Sequence, residues 1–337
     1  MFFIIIIIGS IISISANSWI AVWIGLEINL LSFIPLIIKK NNVNNSEAAL
    51  NYFLVQAFAS VIILFSIIIY IITFNIIQLN YIIYFNNIPS NLIYLTLILK
   101  LGTAPFHFWF PNVIENISWE NCFLLITWQK LAPIIVISYL INFNNLYILF
   151  ILVTSIVGRI GGLNQTSIRK LLSFSSINHI GWILTAIIFN EFLWIIYFLI
   201  YIVLNSSIIL ILKIFQIFYL RQLYSLFINS FLFKFTIFSS VLSLGGLPPF
   251  LGFIPKWLII QSLVSIKINC LNLFLIITRL ITLFYYLKIC FSSLILIIEE
   301  LNWNFINYFN KIFKIIIIII NLLTLAGLFL FVDLIYF

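Results

Sequence analysis

Apolar runs of roughly 17 to 25 residues, the length that spans a bilayer as a helix, follow one another along the chain and are cut by short polar or turn-forming pieces. None of the runs alternates with period two, which excludes the strand pattern of a membrane barrel. The pattern predicts about eleven helical spans, over residues 2–17, 20–39, 48–74, 90–108, 121–141, 145–161, 170–189, 192–217, 232–264, 271–292 and 313–334. The first is read as a helix that stays, because it has no basic segment ahead of it. The ninth run is too long for one plain helix. "SLGGLPPFLGFIPKW" (Ser243–Trp257) interrupts it with Gly245, Gly246, Pro248, Pro249, Gly252 and Pro255, which cannot all sit in a regular helix. "LKLGTAPFHFWFP" (Leu99–Pro111) interrupts the fourth at Gly102 and Pro105. Breaks at membrane depth survive only where they are buried in protein or line a polar cavity.

The two interruptions resemble each other. Leu101–Pro111 and Leu244–Pro255 both run Leu-Gly, two residues, Pro, aromatics and aromatic-x-Pro, with one residue inserted in the second. The two leucines lie 143 residues apart and five predicted spans separate the copies. An odd number inverts the second copy, the arrangement of inverted-topology repeats whose broken helices build an ion site near the midplane. The expected fold is therefore an all-α polytopic membrane protein. It forms a single membrane domain over 1–337, with a first repeat at roughly 1–141, a second at roughly 145–292, a last helix at roughly 313–334 and two discontinuous helices.

Composition agrees. The 337 residues are 64% hydrophobic and 7% charged, with a mean hydropathy of +1.27, against about 25% charged in soluble domains. So few charges cannot cover a globular surface in water, and lipid must be the solvent. The net charge of +8 is no nucleic-acid signature, since the basic residues lie mostly near span ends without interleaved aromatics. Lys39, Lys40, Arg169, Lys170, Lys213, Arg221, Lys311 and Lys314 fall on the loops that share a side with the N-terminus, while the opposite loops carry Lys267 and little else basic. The positive-inside rule then puts the N-terminus inside and the C-terminus outside. Cys122, Cys270 and Cys290 are scattered, with no CxxC motif and no neighbouring histidine. They read as buried small apolar residues, with no metal site.

A charge at the bilayer centre costs at least about 2.5–3.5 kcal/mol, so ionisable residues deep in a span are candidates for function. Glu27 lies about eight residues into its span, Lys100 about ten, Lys130 about nine and His179 about ten, while Lys256 follows the second break. The bland alternatives are a glutamic acid in one interhelical hydrogen bond, lysines snorkelling to the headgroups and a structural histidine. Burial and neighbouring charge together set whether a lysine holds its proton. Lysines and a glutamate on separate helices, each near a break or a proline such as Pro133, can therefore form a lateral relay. His107, among Phe106, Phe108 and Trp109, reads as an interfacial or gating group. Lys288 and Asp333 lie near span ends and are expected to snorkel. Arg159 and Arg279 find no role in the sequence.

The pieces "GLEINLLSFIPLI" (Gly25–Ile37), "LKLGTAPFHFWFPNVIE" (Leu99–Glu115), "TWQKLAPI" (Thr127–Ile134), "GGLNQTSIRKLLSFSSINHIGW" (Gly161–Trp182) and "LSLGGLPPFLGFIPKW" (Leu242–Trp257) resemble the antiporter-like proton-pumping subunits of mitochondrial NADH:ubiquinone oxidoreductase (complex I). They occur in the expected order and the likeness runs from end to end. The resemblance implies that Glu27 pairs with Lys100, that Lys130 is the central lysine and Lys256 the terminal one, and that His179 with its serines belongs to a hydrated polar axis between them. It implies no cofactor bound by this chain, in a complex that uses NADH, FMN, iron–sulfur clusters and ubiquinone. It also implies the other membrane-arm subunits and the lipid bilayer as partners, with no nucleic acid, and a multi-pass place in the mitochondrial inner membrane with the N-terminus on the matrix side and the C-terminus facing the intermembrane space. The chain itself would do no redox chemistry and hold no catalytic residue.

Two rivals are a stand-alone cation/proton antiporter subunit and a purely structural spacer that tolerates Leu or Gln at the buried lysines. One departure from the family is the single methionine beside long isoleucine runs such as Ile315–Ile320. AUA codons read as Ile rather than Met would produce it. The same choice of genetic code would write Arg where an invertebrate mitochondrion inserts Ser at AGA, which would account for Arg159 and Arg279.

Overall fold

A computed structural model of the chain describes residues 1–38, 43–74, 88–140, 145–226, 231–295 and 324–325. The predicted span 313–334, apart from 324–325, lies outside them, as do Lys39, Lys40, Lys311, Lys314, Asp333 and the run Ile315–Ile320. The described residues are helical, and their one β-type pairing is an isolated bridge between Ser167 and Tyr219. In order the helices are α1 (Phe2–Ser15), α2 (Trp19–Ile37), α3 (Val43–Phe74), α4 (Ile88–Leu101), α5 (Trp109–Asn116), α6 (Trp119–Ile126), α7 (Trp128–Ser138), α8 (Asn145–Ile160), α9 (Ile168–Phe189), α10 (Glu191–Phe215), α11 (Leu220–Leu226), α12 (Phe231–Gly245), α13 (Phe253–Ser265) and α14 (Asn269–Ile295). Among the described residues, six stretches are long and apolar enough to cross a membrane as single helices. They include Trp119–Ser138, which joins α6 to α7.

The helices gather into two compact units. The first holds Met1–Gly158 and Arg169–Glu191, the second Arg159–Ile168 and Phe192–Phe337. In the first, α1 packs along α2, α2 and α4 flank α3, and α7 meets α1, α2 and α4. The α1–α2 contact depends on glycine, because a Cβ at Gly25 would lie 2.6 Å from the Ser13 amide nitrogen. Small residues that let backbones meet are the usual basis of helix association in lipid, where no hydrophobic force drives it. In the second unit, α14 packs against α11, α12 and α13.

Both predicted interruptions are present. The first separates α4 from α5, the second α12 from α13. Their register differs from the sequence reading. Gly102 (φ +68°) and Gly246 (φ +75°) both take the left-handed conformation that a Cβ disfavours, and the peptide bonds before Pro105 and Pro249 are both cis. An offset of 144 residues therefore aligns helix ends Leu101 and Gly245, the two left-handed glycines, Pro105 with Pro249, helix starts Trp109 and Phe253, and Pro111 with Pro255. No inserted residue is needed. The textual match of the Leu-Gly pairs had set the register one residue short, because Gly245 ends a helix and the turn falls to Gly246.

A third interruption, at Thr127, divides the predicted span 121–141 into α6 and α7. The Thr127 hydroxyl donates to the Phe123 carbonyl at 2.7 Å. Its effect is to place Gln129 and Lys130 in the first turn of α7.

Candidate functional site

At the first break the last carbonyls of α4 lose their regular i+4 partners, although Leu99 still takes the Gly102 amide at 3.1 Å and Ile98 the Thr103 amide at 3.2 Å. Two side chains from elsewhere in the unit add donors. The Trp109 indole donates to the Leu99 carbonyl at 3.3 Å, and the Gln56 amide, from α3, donates to the Lys100 carbonyl at 3.1 Å. These contacts hold the end of α4 beside α3 and α5. Lys100 lies there with 8% of its surface exposed, in the last turn of α4, where a cation favours the helix dipole.

Lys100 shares a cavity of about 20 Å³ with Lys130, room for about one water molecule. The other polar wall residues are Asn29, Gln56, Gln129 and Tyr52. Trp109, Phe110, Pro133 and leucines supply the apolar part. Lys130 is 2% exposed. Its Nζ meets no hydrogen-bond partner in the protein and stands 4.4 Å from the centroid of the Phe110 ring, within cation–π range. Snorkelling is therefore excluded for Lys130 in this conformation. Gln129 donates through Nε2 to Asn29 Oδ1 at 3.0 Å and so ties α7 to α2.

Glu27, on α2, is half-buried and does not line the cavity. It interacts electrostatically with Lys100 without a contact ion pair. His179, on α9, belongs to the same unit and is buried, but it does not line the cavity either. The hydroxyls of Ser175 and Ser176 are turned onto carbonyls of their own helix, Leu172 at 2.8 Å and Ser173 at 2.6 Å. The structure thus brings Lys100 and Lys130 to one cavity, sets Glu27 at electrostatic range of Lys100, and leaves His179 apart from it.

Lys256 belongs to the second unit. It sits in the first turn of α13, 1% exposed, and Nζ donates to the carbonyls of Leu244 at 2.6 Å and Gly245 at 3.1 Å. By the 144-residue offset, Leu244 is the counterpart of Lys100. The carbonyl that takes a neutral amide in the first break takes an ammonium in the second. Arg279, from α14, donates to the carbonyl of Gly246 in the same turn. Arg159 is 0% exposed, and none of its three guanidinium nitrogens finds a hydrogen-bond partner.

His107 is half-buried in the first break, with a ring nitrogen 3.3 Å from the Pro105 carbonyl and its ring against Phe108. Glu115 and Lys170, at the edge of the first unit, form an ion pair of 2.6 Å. Cys122 and Cys290 are buried, whereas Cys270 is exposed in the first turn of α14, against the expectation of burial for all three. Among the described residues no group of three His, Cys, Asp or Glu side chains could hold a metal ion.

Sequence reading missed Asn29, Gln56 and Gln129. Each is a strongly polar neutral residue deep in an apolar run, a signal of the same kind as a buried charge.

Residues 16–282 match the family described as NADH:quinone oxidoreductase/Mrp antiporter, TM. The chain is similar to the NADH-ubiquinone oxidoreductase chain 2 of Anopheles gambiae, 47% identical over 330 residues that cover 97% of this chain and 95% of the relative. It is 48% identical to that of Aedes aegypti over 337 residues, 100% of this chain and 97% of the relative. Among solved structures it resembles a chain of respiratory complex I from Thermus thermophilus, with a TM-score of 0.84 at 22% identity, over 96% of this chain and 76% of that one. It also resembles a chain of the Mrp complex from Dietzia sp., with a TM-score of 0.78 at 19% identity, over 86% and 59%.

Proposed function

The chain belongs to the NADH:quinone oxidoreductase/Mrp antiporter transmembrane family, and from that premise we propose that it is the membrane-arm subunit of an NADH:ubiquinone oxidoreductase that carries protons across the mitochondrial inner membrane. It is driven and not self-powered. NADH, FMN, the iron–sulfur clusters and ubiquinone act in other subunits, and the energy of electron transfer reaches this chain through its neighbours in the membrane arm. The distribution of loop charges in the sequence supports an N-terminus on the matrix side and a C-terminus toward the intermembrane space. The matched breaks, 144 residues apart, support the reading of 1–141 and 145–292 as inverted repeats of one membrane domain.

The observation that carries the reading is the polar cavity shared by Lys100 and Lys130 inside helices of lipid-spanning character. Two ammonium groups beside one small cavity repel each other, so a proton held by one disfavours a proton on the other. A carboxylate at Glu27, within electrostatic range of Lys100 but not in contact with it, attracts positive charge there. A change of charge near Glu27 therefore biases where the proton rests. By the resemblance, His179 and Lys256 are further members of the relay.

The test replaces Lys130 by Ala and, separately, Glu27 by Gln, in the intact complex. Coupled NADH:ubiquinone turnover and proton pumping should fall while the complex still assembles. Unchanged pumping and quinone reduction in either variant would refute the relay role. A stand-alone antiporter would not co-purify with NADH oxidoreductase activity, and a structural spacer would tolerate Lys130→Leu.

A further inference from the structure

We propose that Gln129, oriented by Asn29, is a positioning residue for proton transfer between Lys100 and Lys130. The inference rests on the relay reading and adds to it a pair of residues that carry no charge.

Three observations converge. The first is placement. Gln129 immediately precedes Lys130 in the first turn of α7, and both line the cavity that Lys100 also faces. The second is commitment of the donors. Nε2 of Gln129 gives a hydrogen to Asn29 Oδ1, which turns Oε1 of Gln129 away as an acceptor. Nε2 of Gln56 is bound to the Lys100 carbonyl, so that amide also has one end fixed. The third is the proline at 133, which has no N–H for the carbonyl four residues back. That carbonyl belongs to Gln129. Gln129 thus carries two oxygen acceptors, Oε1 and its main-chain carbonyl, on the wall of the cavity that Lys130 also lines, and Lys130 Nζ has no hydrogen-bond partner in the protein.

An acceptor-rich neutral residue suits this position better than a carboxylate. A carboxylate would hold the proton on the nearest lysine by its full charge, whereas an amide orients the ammonium, or a water between the two lysines, without trapping it. The proton leaves the ammonium of one lysine and arrives on the neutral amine of the other, so the net charge of the site is unchanged by the step. Asn29 acts through Gln129. It lies two residues beyond Glu27 on α2, so the same helix carries both the charge that biases Lys100 and the group that orients Gln129.

The plainer alternative is that the two amides only satisfy each other as interhelical glue. Four variants of the intact complex separate the readings: Gln129→Met, which keeps length and removes polarity; Gln129→Glu; Asn29→Leu; and the exchange Asn29→Gln with Gln129→Asn, which keeps an amide pair. Assembly is followed on native gels, with coupled turnover and its pH profile as readouts. A 1 Å misplacement of reacting groups costs about 10²-fold, so Gln129→Met should lower coupled turnover about tenfold or more and shift the pH profile in assembled complex. Asn29→Leu should act in the same direction, and the exchange should restore most of the loss. Gln129→Glu should assemble, turn over slowly and show a displaced pH profile. Full coupled turnover with an unaltered pH profile in either Gln129 variant overturns the proposal, and this holds for Gln129→Glu if Gln129→Met fails to assemble. Lys130→Ala is run in parallel. If it retains pumping, the relay reading itself fails. If it loses pumping while the Gln129 variants keep it, only the present inference fails.

Discussion

Gly252→Ala is a substitution for which local propensity and tertiary structure predict opposite signs. Gly252 precedes α13 with φ −66° and ψ −8°, a conformation that alanine adopts freely. On backbone entropy alone the change should stabilise the protein by about 0.4–1 kcal/mol. The surroundings forbid it. A Cβ at 252 would lie 1.8 Å from the carbonyl oxygen of Ser243 and 2.8 Å from its carbonyl carbon, where real Cβ contacts essentially never fall below 3.0 Å. The obstacle is backbone, so α12 and the start of α13 must part by about 1 Å or more. The carbonyls next in line after Ser243 are those that hold Lys256, at 2.6 and 3.1 Å, and an opening of that size along the bonds takes both past the usual limit of about 3.2 Å. Overpacking of this kind costs about 1–3 kcal/mol, and each buried hydrogen bond to a charged group about 1.5–3 kcal/mol. The sum outweighs the entropic gain, and the expected net loss is at least about 2 kcal/mol. Two measurements check it: the amount of assembled complex in mitochondrial membranes, and the temperature at which its NADH:ubiquinone activity is lost on heating. Both should fall for Gly252→Ala. A variant as stable as its parent, or more so, would refute the reasoning.

Two further outcomes follow from the same geometry. Glu115→Gln removes an ion pair whose side chains are 33% and 29% exposed, so its cost should stay within about 0.2–1 kcal/mol; a thermal shift as large as that of Gly252→Ala would contradict this. Arg159 is buried with no hydrogen-bond partner for its guanidinium, and an uncompensated buried charge destabilises by about 3–5 kcal/mol. Mass spectrometry of the peptide spanning position 159, taken from mitochondria, should find serine there and at 279, with methionine at part of the isoleucine runs; arginine at 159 would overturn the reading of the codons.

The ionisable candidates were legible because a span of apolar residues makes every charge in it an exception. Lys130 and Lys256 stand out in the sequence and are among the most buried cations of the structure. The neutral partners were harder to read. Asn29 and Gln129 lie 100 residues apart in sequence, and nothing local says that α2 and α7 meet. Likewise the serines near His179 look like a polar path in the sequence, but their hydroxyls are taken up by their own helix carbonyls.

By itself the sequence determined that this is a helical membrane protein with two broken helices, since runs long enough to cross lipid and clusters of Gly and Pro are properties of contiguous residues. Tertiary structure alone decided the register of the breaks, where φ at Gly246 and not the Leu-Gly text marks the turn. It also decided which groups take the stranded helix-end carbonyls. Those carbonyls must find donors once a helix stops inside the membrane, and the donors come from whichever helix packs nearest. In the first break they are Gln56 and Trp109; in the second the donor is Lys256.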